Sequence, residues 1–558
     1  MRTLRFGLCI LALASTLALA GDVPEDVKAN IQARVTGGMS PGIVVGLIGH
    51  DGSETYHAAG VMTVGKPDPV TPDTIFEIGS ITKTFTGTLL AEMAARGEVK
   101  LSDPVRKYLP EGTVVPKEEE REITLEDLAT QRSGLPRLPD NMEPADTADP
   151  YVDYTAERLY AFLAKAKLNH PIGSTYEYSN LGVGLLGHAL TRAAKLDYDA
   201  LVKARIATPL NMPVTSTTVA PDKKANLATP HALAGAKPEP VKPWTWTPAT
   251  AVTGAGGLRS TARDMLRYIA ANAGVPDTPL KAAMKEAQRP RAETGSKAMA
   301  VGLGWHVRRS GERMIIWHNG GTGGFHSFCG FDPTTRTGVV VLANSTEDID
   351  DIGLHLLDEA QPLTAVTKTL TLDEAKLKRL DGFYDIGGQT ITVTHEGTQL
   401  FAQLTGQPRF PVFPKSEKLF FYRVVPAELE FDLPAEGPAT GVTLHQGGRD
   451  VPAKRVAAAI VPKERKEVPI DAKLLAEYAG AYQLAPGITL TVTPKEGRLG
   501  IQLTGQPPFD AYPESDKDFF LKVVDAQLTF TRNAEGKVDA VVLHQGGADQ
   551  RAVRVNSN

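Results

Sequence analysis

Phe76-Glu77-Ile78-Gly79-Ser80-Ile81-Thr82-Lys83-Thr84-Phe85 is the stretch on which the reading of this chain turns. It leads into Thr84 to Ala95, a run with small and apolar residues on most faces, which predicts a buried helix. Residues three apart on a helix share a face, so Lys83 projects beside the Ser80 hydroxyl. A neighbouring amine can activate a weak nucleophile without histidine. Ser-x-x-Lys alone is a common pattern, and a capping serine followed by a surface lysine is the plainer reading of the bare motif. The choice between the two depends on what else the chain carries.

An activated serine needs a base and an oxyanion hole. Tyr176-Glu177-Tyr178-Ser179-Asn180 follows a Pro171-Ile172-Gly173 turn and opens a helix expected over Leu181 to Ala194. Tyr178 can serve as base if its phenol, ordinarily near pKa ~10, is lowered by about two units. Positive charge from Lys83 could do this. A core tyrosine beside a capping asparagine is the alternative. Trp317-His318-Asn319-Gly320-Gly321-Thr322-Gly323-Gly324-Phe325 is the third candidate. Its glycines allow close approach of a substrate to a strand backbone, and an N–H there could complete an oxyanion hole with that of Ser80. A glycine-rich hairpin or a phosphate loop is the alternative, but no Walker lysine follows and the spacing fails the dinucleotide fingerprint.

Other chemistries find little support. The chain has no Gly-x-Ser-x-Gly elbow, no His-Glu-x-x-His and no paired-cysteine metal site. His318 and His326 lack the spacing partners of a metal cluster, and Glu118 to Glu122 reads as a solvated charge run.

Taken in order, Ser80-x-x-Lys83, Tyr178-x-Asn180 and His318-x-Gly320 resemble the three motifs of the serine β-lactamase and penicillin-binding-protein superfamily. The Phe-Glu-Ile-Gly-Ser start, the Gly134-Leu135-Pro136 loop and the Gly-Gly-Thr-Gly-Gly-Phe segment are similar to class C β-lactamases and their peptidase and esterase relatives. The resemblance covers roughly Pro24 to Ala360. It implies Ser80 as the acylated nucleophile, Lys83 and Tyr178 sharing general-base duty, and Asn180 bonding Lys83 and the substrate amide. It implies an oxyanion hole from the N–H groups of Ser80 and Gly321, with His318 and Gly320 in the third substrate-binding motif. No cofactor and no metal are implied. His318 stands where class C enzymes carry lysine, and Arg137 or Leu138 stands where they carry a substrate-binding glutamine. Those departures, together with the domain layout described next, point to D-aminopeptidases, D-Ala peptidases and esterases of this branch. The expected activity is amide hydrolysis on D-amino-acid peptides, with β-lactams as slow substrates or inhibitors. A class C β-lactamase, a carboxylesterase and a non-turnover penicillin-binding sensor are the alternatives.

The character of the chain changes near Leu370. Before it, helical and strand signals alternate: an apolar strand at Ile43 to Ile48 with an Asp51-Gly52 turn, a Thr261/Asp264 capping box, and a strand at Gly338 to Ala343. This indicates an α/β (α+β) catalytic region. After it, strands dominate and the sequence repeats. Leu404-Thr405-Gly406-Gln407-Pro408 recurs as Leu503-Thr504-Gly505-Gln506-Pro507, and Leu444-His445-Gln446-Gly447-Gly448 as Leu543-His544-Gln545-Gly546-Gly547, both offset by 99 residues. A period this long is a duplicated domain, expected as two small antiparallel barrels or sandwiches. His445 and His544 recur while the nucleophile does not, so they read as scaffold. Val461 to Pro469 reads as the linker. The expected divisions are a signal peptide at 1–20, a β-lactamase-like catalytic domain at 21–366, and β-barrel-like repeats at 367–462 and 463–558.

Arg2 and Arg5, the apolar run Phe6 to Leu19 and the Ala18-Leu19-Ala20 ending have the pattern of an export signal cleaved after Ala20. Cys9 lies inside the apolar run, which argues against a lipid anchor. Losing the two arginines moves the formal charge from -5 to -7. With no basic block interleaved with aromatics, nucleic acid is not an expected partner. Only Cys329 remains after cleavage, so no internal disulfide forms. A soluble, exported and periplasmic enzyme with a small-molecule or peptide substrate is the expectation.

Overall fold

The run Gly42–Ile48 forms strand β1, and all seven of its residues are buried. Its side chains divide by parity, as a pleated strand requires. Val44 and Ile48 enter one hydrophobic core, while Ile43, Val45 and Leu47 enter another. Seven further strands complete the sheet: β2 (Glu54–Gly60), β3 (Ala292–Ser296), β4 (Met299–Val301), β5 (His306–Ser310), β6 (Arg313–Gly321), β7 (His326–Asp332) and β8 (Thr337–Ala343). Their order is β2-β1-β8-β7-β6-β5-β4-β3, antiparallel at each pairing. β1 and β8 pair with Ile43 opposite Ala343, so the first and last strands of the sheet lie side by side.

This is a computed structural model that describes residues 21–234, 237–311, 313–459, 465–485, 488–504, 508–522, 526–545 and 548–555. The expected signal peptide, residues 461–464 of the expected linker, and parts of the second-copy motifs (505–507 and 546–547) lie outside the described residues.

Helices cover both faces of the sheet. Val27 and Ile31 of α1 (Glu25–Thr36) share one core with Ile352 and Leu356 of a helix spanning Asp350–Leu357. The other core takes Phe85 and Leu89 of α2 (Thr82–Ala95), Leu185 of α3 (Asn180–Ala194), and Met265 and Ile269 of α4 (Ala262–Asn272). α2 begins two residues earlier than its apolar pattern indicates, after a single 3-10 turn at Gly79–Ile81. Its threonines are weak helix formers. Buried, Thr84 and Thr88 donate their hydroxyls back to Ile81 O and Thr84 O at 2.8 and 2.9 Å.

The expected capping box at α4 is only half formed. Thr261 Oγ1 accepts from Asp264 N, but the Asp264 carboxylate instead takes the N–H groups of Val214 and Thr215. The segment at Val214 and Thr215 thus takes the carboxylate that would have closed the box at the helix start.

Residues 367–558 form a second unit. It holds two closed eight-stranded barrels, running from Gly382–Asp385 to Arg449–Val456 and from Gly480–Ala485 to Ala548–Val555. Closure removes the free edges that a sandwich would leave. The copies share internal devices. Tyr384 OH donates to Leu380 O at 2.6 Å, and Tyr482 OH to Tyr478 O at 2.8 Å. His445 and His544 bind Asp450 and Asp549 across equivalent hairpins, at 2.7 and 2.6 Å. From Arg465 the chain is held to the second barrel, through Glu514 and a Val468 N to Pro513 O bond.

Candidate active site

Ser80 stands on the 3-10 turn that feeds α2, and Lys83 is the second residue of the helix. Lys83 is fully buried, so it is no surface lysine. Its Nζ lies 2.9 Å from Ser80 Oγ, 2.8 Å from Asn180 Oδ1 and 2.7 Å from Ala255 O. Burial first, and the charge of Arg137 second, hold the Lys83 pKa well below its ordinary value. In its neutral form the amine has two hydrogens and one lone pair. Asn180 Oδ1 and Ala255 O can only accept, so they take the hydrogens. Ser80 is the one partner that can donate, so its hydroxyl faces the lone pair.

Asn180 is free for this contact because it is not the helix cap. Ser179 is, with its Oγ accepting from Gly182 N at 2.8 Å. Tyr178, one residue earlier, brings its ring within 4.9 Å of Lys83 Nζ. Burial pushes its phenol up to about 12, against smaller downward pulls from a hydrogen bond with Ser80 and from Arg137. The expectation that Lys83 lowers Tyr178 is therefore corrected. The enclosure that disfavours a phenolate also disfavours the ammonium that was to stabilise it.

The strand edge is fitted to the serine turn by glycine. Gly79 adopts φ +47, and a Cβ on it would stand 2.9 Å from Gly321 N. A Cβ on Gly320 would lie 2.1 Å from Ile78 O and 2.9 Å from Ser80 N. Gly320 is thus required by the protein's own backbone, not only by an approaching ligand. The space beside Gly321 is open, and Gly321 lines the cleft.

His318 departs from expectation. It is buried behind the cleft wall, its ring 6.4 Å from that of Tyr178 and 4.7 Å from that of His306, and its Nδ1 is 2.6 Å from Asn319 O. Burial, reinforced by His306 and Lys83, depresses its pKa well below the usual value. His318 is not among the residues that line the cleft, so the substrate-binding place expected of it has no direct contact there. His326, which lacks metal-cluster partners by spacing, has carboxylates beside it in space: its Nε2 lies 3.0 Å from Asp350 Oδ1, and ligand-capable atoms of His326, Asp348 and Asp350 gather within 4.8 Å. Asn319 Nδ2 donates to the second oxygen of Asp350 at 2.5 Å. The partners come from the start of the Asp350–Leu357 helix and the loop just before it, which motif spacing does not reach.

Ser80, Tyr178, Asn180, Gly320 and Gly321 line one cleft of about 490 Å³. Sequence reasoning did not find its aromatic wall. Tyr151 stacks on Trp246 at 5.1 Å and meets Trp244 edge-on at 5.2 Å. Trp244-Thr245-Trp246 holds two of the four tryptophans of the chain, a concentration that could have flagged it. The wall is braced from behind by Arg259, which bonds Trp244 O and pairs with buried Glu77 at 3.1 Å.

A serine hydroxyl against a buried lysine, in a cleft edged by a glycine-bearing strand, defines a serine hydrolase. The chain belongs to the Beta-lactamase family, whose model matches residues 27–360. It is 28% identical over 379 residues to a Beta-lactamase of Escherichia coli K12, covering 62% of this chain and 94% of that protein. It is 32% identical over 308 residues to the D-alanyl-D-alanine-carboxypeptidase/endopeptidase AmpH of the same organism, covering 51% and 77%. Among solved structures, a class C beta lactamase from Rhodobacter sphaeroides superposes with TM-score 0.51 at 26% identity, over 60% of this chain and 99% of the other. A second family model, a domain of unknown function (DUF3471), matches residues 464–554, the second barrel.

Proposed function

We propose that this protein is an exported hydrolase that cleaves amide bonds of D-amino-acid peptides through a Ser80 acyl-enzyme, as a D-Ala carboxypeptidase does, and that β-lactams acylate the same serine. The observation that carries this reading is the Lys83 environment, with two obligate acceptors and one hydroxyl around a desolvated amine. Ser80 passes its proton to Lys83 Nζ as Oγ bonds to the carbonyl carbon, and the N–H groups of Ser80 and Gly321 stabilise the oxyanion. When the C–N bond breaks, the phenol of Tyr178 protonates the leaving nitrogen and is reprotonated by Lys83. Water then hydrolyses the ester, with Lys83 again as base. Asn180 holds the amine in line. The likeness to AmpH supports a peptide substrate, and the N-terminal export pattern supports passage across the inner membrane, with the periplasm as destination. Division at 366/367 and 462/463 into a catalytic domain and two barrels belongs to the same proposal. Incubation with a penicillin and with a D-Ala-D-Ala peptide tests it. The expected results are a mass adduct on Ser80 and release of D-Ala; no adduct with either probe sinks the assignment.

A further inference from the structure

Among the described residues one cation lines the cleft, and it is not in the third motif. With His318 shut behind the wall, no cationic side chain of the β6 edge reaches the cleft among the described residues. Arg137, from the Gly134-Leu135-Pro136 loop, is exposed and lines it. Its guanidinium carbon lies 5.0 Å from the centre of the Tyr178 ring. Its backbone is fixed, because Arg137 O accepts from Asn180 N at 3.0 Å and Leu181 N at 3.2 Å. Among the described residues no carboxylate pairs with this guanidinium, and no aspartate or glutamate lines the cleft. A cation at a cleft mouth without a carboxylate beside it attracts anions. A guanidinium also matches a carboxylate in a bidentate fork. A free ammonium, as an aminopeptidase substrate would bring, meets no counter-charge there.

We propose that Arg137 anchors a substrate carboxylate, placed on the leaving-group side of the scissile amide beside Tyr178, so that this cleft selects anionic, C-terminally free peptides. The proposal rests on the acyl-enzyme reading above. It narrows that reading to carboxypeptidase-type substrates over D-aminopeptidase-type ones.

The test uses the full chain and two N-acetylated peptides ending in D-Ala-D-Ala, one with a free carboxylate and one amidated. The wild type should favour the acid. Arg137→Gln should lower the acid-to-amide ratio of kcat/KM by about 10- to 100-fold, the range for losing a hydrogen-bonded charge partner, mainly through KM. Arg137→Lys should recover part of the ratio. A ratio within twofold of wild type in Arg137→Gln, a wild type that prefers the amide, or one that cleaves neither peptide overturns the proposal. An acyl adduct on Ser80 from a p-nitrophenyl ester separates the two readings. Its presence with an unchanged ratio removes Arg137 alone, and its absence removes both.

Discussion

The side-chain oxygen of Asn180 lies 2.8 Å from Lys83 Nζ, and that contact fixes which way the amine's remaining valence points. With Ala255 O holding the other side, Nζ is aimed at Ser80. Asn180→Leu should lower kcat/KM by about 100-fold or more while leaving the fold intact, because a misdirected base transfers protons poorly. An undiminished rate would show that the helix alone aims the lysine.

The pH profile should carry one limb. As pH falls through the depressed Lys83 pKa, the amine is protonated and kcat/KM drops by about tenfold per unit. Tyr178, held up at about 12, adds no alkaline limb below that pH. An alkaline limb centred near pH 8 would mean that the Tyr178 phenol loses its proton there and is not held up by burial. Lys83→Met gives the stability counterpart. Since folding lowers the pKa of this lysine, the unfolded chain binds the extra proton between the folded pKa and about 10.5. Wild-type stability therefore rises with pH across that window. The melting temperature of wild type relative to Lys83→Met should climb from pH 7 to pH 10, and a constant difference would count against a desolvated amine.

Gly320→Ala should disable the enzyme without removing a polar group. The added methyl would stand 2.9 Å from Ser80 N and 2.1 Å from Ile78 O, so the serine turn must shift. Loss of one oxyanion donor costs about 100- to 1000-fold in kcat. The measurement is single-turnover acylation by an ester, and an effect under tenfold would argue against the hole at this position.

Glu77→Gln should cost about 3–5 kcal/mol, read from denaturant unfolding, because it leaves the buried Arg259 unpaired. Replacing both residues with Gln and Met should recover much of that loss. No recovery would show that the cost lies in packing and not in charge.

How far the sequence carried depends on how local each signal is. Ser80 and Lys83 are three apart on one helix, so their meeting is written in the spacing. His445 and His544 could be assigned to the scaffold because duplication separates frame from site, and each closes a hairpin onto its aspartate. The fate of Tyr178 was not legible. Charges can be counted along a chain, but enclosure cannot, and enclosure reversed the direction of its pKa. Tyr151 and Trp246 meet only because two loops converge, with no periodicity to announce it. His318 lay between these cases: it shares strand parity with Gly320, which faces the serine turn, so a firm strand register would have turned it inward.

Strand β1 raises a question that hydrophobicity does not answer. Both of its faces are apolar, so a slip of one residue would exchange the two cores without exposing a single greasy side chain. What forbids the slip is bulk. Gly42 sits where a Cβ would come within 2.6 Å of Val70, and Gly46 where one would come within 3.2 Å of Tyr56. After a slip, Ile43 or Val45 would have to occupy room meant for a hydrogen atom. The alignment of the central sheet is thus set by two missing methyl groups, and alanine at either position should loosen the choice of register before it reaches Ser80.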